Sequence, residues 1–398
     1  MSGSDGFDEL FAADGGEDIA AVLDSAETLQ ARDPGGALWS LATAGAQIRL
    51  AVTASSAWLD RLTYTDHPRS ILVTTDQHAG HVGELLVELS AATVPILLWQ
   101  RPELPRWAGP TDVLLAASID GMHPRVAALA AEADRRGLEV VLVAPVDSPV
   151  SAGAGRAVRV DVDSEGSARA ISWALAAPLL LAAAAVRATD TTADVLLGAA
   201  DAVDALARRS APATATYANE AKQLAIDLAE AVPVLLGCGR LPSLAARRGA
   251  AALRAVAGVG ALALELPDRL EEALALARSG GGSTQSVDFF RDRVDTPAAI
   301  RRLITLSPPP ILPAPERAPG GLQEEHDDVP DVLELATARS AAAVRAAAER
   351  AGVRYSEVVP EAIDPLAAYA EQSLLGEFVA AYVALGTGMS LAGEGRAP

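Results

Sequence analysis

The chain has 398 residues, half of them hydrophobic, with mean hydropathy +0.23, so it can fill two or three domain cores and is not globally disordered. Only 4% of residues are aromatic; alanine, leucine and valine supply the apolar volume, which suits helices on parallel sheets better than a β-sandwich. With 52 acidic against 32 basic residues the net charge is −20, which disfavours general binding to nucleic acid or to anionic membranes.

Taken in chain order, residues 1–50 read as an N-terminal helical segment, with Ile19, Val22 and Leu23 at helical spacing and a Pro-Gly-Gly break at 34–36. Strand-like runs then alternate with helical ones. Ile71–Thr75 precedes a helix over 80–89; Val94–Trp99 and Asp112–Ser118 precede a helix over 123–136. Leu138–Ala144 and Ala157–Val162 are further strands, followed by one long helical stretch over 166–207. Within it the 14-residue run Trp173–Val186 contains Pro178 and is too short to span a bilayer, so it reads as a buried helix.

The pattern restarts near residue 210. A helix over 218–231, a strand over 232–236, a helix over 243–257 and a strand over 259–264 come first. A strand over 303–306, a mobile Pro/Gly/acid-rich loop over 308–330, a helix over 340–351, a strand over 352–358 and a closing helix over 364–385 complete it. Short apolar strands between amphipathic helices predict an α/β architecture of doubly wound parallel sheets. The expected units are 51–210 and 211–398, the second including the loop. The amino-terminal MSGSDGFDEL has no basic region before an apolar one, and the expectation is a cytoplasmic protein. Cys238 is the only cysteine, which excludes an internal disulfide and a cysteine-based zinc site, and Lys222 is the only lysine.

Around Tyr217–Gly239 the text becomes specific. ANEAKQLAIDLAEAVPVLLGCGRLP (218–242) resembles the junction between the halves of the bifunctional phosphoglucose/phosphomannose isomerases, which are tandem SIS (sugar isomerase) domain proteins. The segments 288–306 and 352–388 resemble later parts of that family, and VPILLWQRPELPRWAGPTDVLLAAS (94–118) has its first-half layout. The resemblance covers the chain from about residue 15 to 390. It implies two flavodoxin-like sheets of five strands each, a homodimer, no cofactor, and a sugar-phosphate site between the domains.

Aldose–ketose isomerisation needs a phosphate cradle, a base that moves a proton between adjacent carbons, and groups that open the ring and steady the enediolate. The family's cradle, Ser-Tyr-Ser-Gly-Asn-Thr, matches Ser118-Ile119-Asp120-Gly121-Met122-His123 here. Ser118 and Gly121 persist. Asp120 reads as a helix N-cap whose carboxylate takes the N–H groups a phosphate would use, and His123 as a replacement anion donor. The family's glycine-rich first loop corresponds to Thr74–Gly83, which has lost most of its glycines. There Asp76, His78 and His81 read either as solvated loop residues or as part of a metal site, while His67 and His326 read as exposed.

In the second half the family's catalytic glutamate falls near Leu253-Arg254, where there is no carboxylate, so Arg254 stands at the ligand position. The ring-opening histidine is missing after Leu266-Pro267-Asp268. Glu265, Glu271 and Glu272 are the carboxylates that could substitute, against a solvated helix face. Lys222 lies in the junction helix as an expected ion-pair partner. Gly166-Ser167-Ala168-Arg169-Ala170 resembles the segment whose arginine faces the reacting carbons, which makes Arg169 either an anion contact or a helix-start salt bridge. The expectation is a degenerate, non-catalytic homologue binding a sugar phosphate or nucleotide sugar. The alternatives are a working isomerase using Arg169 and a displaced glutamate, and an effector-sensing module.

Overall fold

The computed structural model describes residues 18–62, 68–77, 79–91, 93–162, 172–229, 231–279, 300–310, 332–389 and 391. Five short helices come first: α1 (Ile19–Asp24), α2 (Ala26–Arg32), α3 (Ala37–Leu41), α4 (Ala44–Ala54) and α5 (Ser56–Leu59). β1 (Ser70–Thr75), α6 (Gly80–Glu88), β2 (Ile96–Leu98), β3 (Asp112–Ala117), α7 (Pro124–Arg136), β4 (Glu139–Val143), α8 (Pro149–Ala152) and β5 (Val158–Val160) form the first α/β layer. α9 (Ser172–Ala185), α10 (Ala193–Arg209) and α11 (Glu220–Leu228) lead to the second. That layer holds β6 (Ala231–Cys238), α12 (Arg240–Val256), β7 (Leu262–Leu266), α13 (Leu270–Ser279), β8 (Ile300–Leu306), α14 (Val332–Ala351), β9 (Arg354–Val358) and α15 (Pro365–Gly386).

Both sheets are wholly parallel in the described residues, with orders β2-β1-β3-β4-β5 and β7-β6-β8-β9. The first is the expected five-stranded sheet. The second has four strands among the described residues rather than five, because after β9 the chain goes straight into α15. The stretch expected as one helix over 166–207 is two, α9 and α10, with Arg187 in the left-handed region (φ 59°) where the first ends. Residues 163–171 and 311–331 lie outside the described residues, and so do the calls at Arg169 and in the 308–330 loop beyond residue 310.

Strand side chains alternate between two cores, as a pleat requires. Ile71, Val73, Val113 and Leu115 of the first sheet face the same hydrophobic cluster as Leu235, Ile304 and Leu306 of the second, while Leu72 and Leu114 face an outer core under α7. Val234, Leu236 and Leu303 face a separate outer core under α13 and α14. Between the sheets lies a shared helical layer, which explains why α9 and α15 are largely apolar and buried over most of their length. Every residue of α15 from Leu366 to Gly386 is buried except Gly376.

Three contacts hold this layer at fixed spacing. Gly376 of α15 crosses Gly249 of α12 so closely that a β-carbon on Gly376 would lie 2.9 Å from the Gly249 Cα. Glu371, buried in α15, accepts from Arg209 (2.7 Å) and from the Glu361 and Ala362 N–H groups (3.0 Å each). Lys222 is buried and points its ammonium at the carbonyls of Pro212 (2.7 Å) and Thr214 (2.8 Å), over the Tyr382 ring, instead of serving the expected ion pair. The sole lysine therefore clasps the segment that joins the two layers, and burial lowers its pKa.

At the amino end of the first sheet's central strand, Asp112 of β3 receives Arg69 (2.5 Å), Ser70 (2.8 Å) and the Gly109 N–H (2.9 Å). Burial pushes its carboxyl up, but these donors outweigh it and leave the pKa below the usual carboxylate range. A depressed folded-state pKa adds stability above the unfolded value of about 3.9, and that stability fades as pH falls through the folded one. Asp112→Asn should cost about 1–3 kcal/mol at pH 7. The gap to wild type should hold down to about pH 5 and narrow below about pH 4, as read by urea unfolding across pH. Gly376→Ala should cost about 1–3 kcal/mol in the same assay, because helix backbones would have to part.

Candidate functional site

In a parallel sheet of this order, the connections leaving β1 and β3 run to opposite faces, so a crevice opens beyond their carboxyl ends. Two loops line it, 76–79 after β1 and 118–123 after β3. The crevice is occupied by the protein itself. Asp76 is buried, and its carboxylate accepts the Ile119 N–H (2.7 Å) from one loop and the Ala79 N–H (2.8 Å) from the other. Arg125 reaches back from α7 to the carbonyl of Thr75 (2.7 Å), covering the end of β1. Asp76 is thus neither a solvated loop residue nor a metal ligand in waiting; among the described residues no group of three His, Cys, Asp or Glu side chains is placed to hold a metal.

The predicted cradle residues do share one loop. Ser118 is buried, and its hydroxyl donates to Asp120 (3.3 Å), whose carboxylate also accepts the Met122 N–H (2.9 Å). Asp120 caps that turn and not the helix. α7 begins only at Pro124, whose ring presets the first helical φ, so the N-cap position is His123 and carries no side-chain cap bond. Gly121 has φ 65°, and a β-carbon there would lie 2.2 Å from the Ser148 side chain, so the turn needs glycine for conformation and for space. His123 has its Nδ1 buried without a hydrogen-bond partner.

The remaining sequence candidates scatter. Arg254 lies near the carboxyl end of α12 and donates to the Ala261 carbonyl (2.6 Å), away from both loops. Glu271 and Glu272 are exposed in the first turn of α13. Cys238 is buried at the end of β6, where desolvation, helped by Glu357, pushes its thiol up to about 12, which removes it as a nucleophile. His67, His78 and His326 lie outside the described residues.

A second feature sits beside the first loop. A cavity of about 260 Å³ opens between α6, α12 and α15; its polar lining is Gln77, His81 and Glu84 on one wall, Arg247 and Arg248 on the second and Glu377 on the third. Leu244, Arg247, Arg248 and Ala251 project into it because spacings of three and four residues share one helix face. The Arg248 side chain is 9% exposed and is held by Glu377 (3.2 Å) and the Ser172 hydroxyl (3.0 Å), so this wall is fixed. Arg247 is 43% exposed and shared loosely between Glu84 (3.2 Å) and Glu265 (3.7 Å), while Arg240 meets Glu88 (2.6 Å) nearby. Such open pairs are worth about 0–1 kcal/mol each. Glu265, partly desolvated, has its pKa raised despite Arg247.

Sequence reasoning missed Arg247, Arg248, Glu84 and Glu377. The available signals were an Arg-Arg step inside an alanine-rich helix and two acids, Glu371 and Glu377, inside a largely apolar 22-residue helix.

No protein-family model matches the sequence. No curated protein sequence matches it either. Solved structures do match in fold. The C-terminal domain of glucosamine-fructose-6-phosphate aminotransferase from Francisella tularensis aligns over 88% of this chain and 95% of its own, at 11% identity and TM-score 0.57. Tagatose-6-phosphate ketose/aldose isomerase from Escherichia coli aligns over 89% and 92%, at 11% identity and TM-score 0.56. A hypothetical protein from Thermus thermophilus aligns over 94% and 92%, at 16% identity and TM-score 0.62. The chain therefore shares with these structures an α/β fold of two parallel sheets flanked by helices.

The Asp76 bridge has a direct test. Asp76→Asn keeps the shape but turns an NH2 group toward one of the two N–H donors. It should cost about 1–3 kcal/mol of unfolding free energy at pH 7, measured by denaturant titration.

Proposed function

We propose that this chain is a non-catalytic relative of the bifunctional phosphoglucose/phosphomannose isomerases. In this reading it has tandem units at 51–210 and 211–398, is a homodimer in the cytoplasm, and binds a sugar phosphate without isomerising it. The observation that carries the reading is Asp76. Its carboxylate uses the Ile119 and Ala79 N–H groups at the crevice where this kind of sheet otherwise receives an anion. A phosphate arriving there meets a fixed negative charge, which repels it by ~4 kcal/mol per charge pair at 4 Å and an effective dielectric of 20.

The proton-handling groups point the same way. The position matching the family's base holds Arg254, which is bonded to a backbone carbonyl. Glu271 and Glu272 face solvent, and Glu265 is engaged with Arg247. Loss of a general base costs about 10²–10⁴-fold and loss of an oxyanion donor about 10²–10³-fold. Together they leave nothing that an assay would resolve. That Ser118, Asp120, Gly121 and His123 share a loop supports that loop's descent from a cradle, with its ligand role given up to internal bonds.

A coupled assay with fructose 6-phosphate and mannose 6-phosphate tests this. The expected result is no turnover above the uncatalysed background at micromolar protein. Turnover abolished by Arg169→Ala would establish the competing reading, a working isomerase.

A further inference from the structure

The cavity between α6, α12 and α15 is a better ligand site than the self-filled crevice beside it. We propose that it takes a single hexose monophosphate, not a nucleotide sugar, and that Arg247 leaves Glu84 to hold the phosphate; this rests on the sugar-phosphate reading above.

Four observations carry it. The first is size: about 260 Å³ lies just under the range of about 300–1,000 Å³ usual for small-molecule sites, which suits one sugar ring and not a ring plus nucleoside. The lining also has no Phe, Tyr or Trp ring on which a base could stack.

The second is polarity. Arg248 and the buried Glu377 form a fixed pair, and Gln77 faces the same space. Donors and acceptors in balance match hydroxyl groups, each of which donates and accepts.

The third is the contrast between the two arginines. Arg248 is pinned at 9% exposure, while Arg247 is 43% exposed and holds two carboxylates only at 3.2 and 3.7 Å. A phosphate presents several oxygens to a planar guanidinium and can replace such contacts with paired charge-assisted bonds. The fourth is the opposite wall. α6 opens onto the cavity through Gly80 and His81 and has no acidic residue in its first turn, while the Asp76 carboxylate on the Ala79 N–H belongs to the neighbouring crevice.

Glu84 is the competitor in this arrangement. It sits one turn along α6 from Gly80 and neutralises Arg247 when no ligand is bound. Ligand binding and the Glu84–Arg247 bridge are then alternatives for one guanidinium, so removing the acid strengthens binding while removing the arginine weakens it. A merely structural ion pair would give losses in both variants.

The test is isothermal titration of the full-length chain and of Glu84→Gln and Arg247→Met. The titrants are fructose 6-phosphate, mannose 6-phosphate, unphosphorylated mannose, inorganic phosphate and a nucleoside diphosphate hexose. Circular dichroism and thermal unfolding check that both variants fold. The expected result is that the hexose phosphates bind best. Glu84→Gln should tighten them by about fivefold. Arg247→Met should weaken them by about 10- to 100-fold. Hexose phosphate binding that is indifferent to Arg247, or tighter binding of the nucleoside diphosphate hexose, overturns this assignment and leaves the non-catalytic reading standing. Absence of binding by every phosphosugar overturns both.

Discussion

A helix buried on every side cannot sit at the edge of a sheet; it has to be enclosed, and α15 is enclosed by the inner face of the second sheet and by α10, α11 and α12. That requirement organises the molecule. The charges on α15 are tolerated because Glu371 meets Arg209 and Glu377 meets Arg248, each in a place where an unpaired carboxylate would be costly. Close passage of Gly376 over Gly249 then sets α12 against α15 and aims its Arg247–Arg248 step at α6. The cavity is thus a by-product of how the central helix is packed.

The two places an anion could occupy differ in one respect. Beyond β1 and β3 the backbone donors are already taken by a buried carboxylate belonging to the chain, with the turn after β3 tied internally through Ser118, Asp120 and Met122. Between α6 and α12 the corresponding carboxylate, Glu84, is half-exposed and weakly held. A buried acid bonded to two N–H groups is part of the fold; a surface acid on a shared arginine is exchangeable. This difference in burial separates a crevice that has become structure from a cavity whose charges can still change partners.

Much of the fold was legible in the sequence, and the reason is local. Strands such as Ile71–Thr75 and Asp112–Ala117 are buried on both faces, so they read as continuous apolar runs between helices. The break at Arg187 was not legible, because alanine-rich sequence on both sides keeps helical periodicity through a turn set by tertiary packing. The expected fifth strand of the second sheet rested on resemblance alone, with no run of residues to support it. At the site, Ser118, Asp120, Gly121 and His123 came from one contiguous motif and were found together. Asp76 was placed in solvent because its partner Ile119 lies 43 residues away. Arg247 and Glu84, 163 residues apart, carry no mutual signal in a single sequence.

The most direct measurement is a crystal structure of the full chain grown with saturating mannose 6-phosphate. The account predicts the phosphoryl group against Arg247 in the cavity between α6, α12 and α15, with the Asp76 carboxylate still bridging the Ile119 and Ala79 amides. A phosphoryl group seated on the Ser118–His123 turn, with Asp76 swung out of the way, would contradict it.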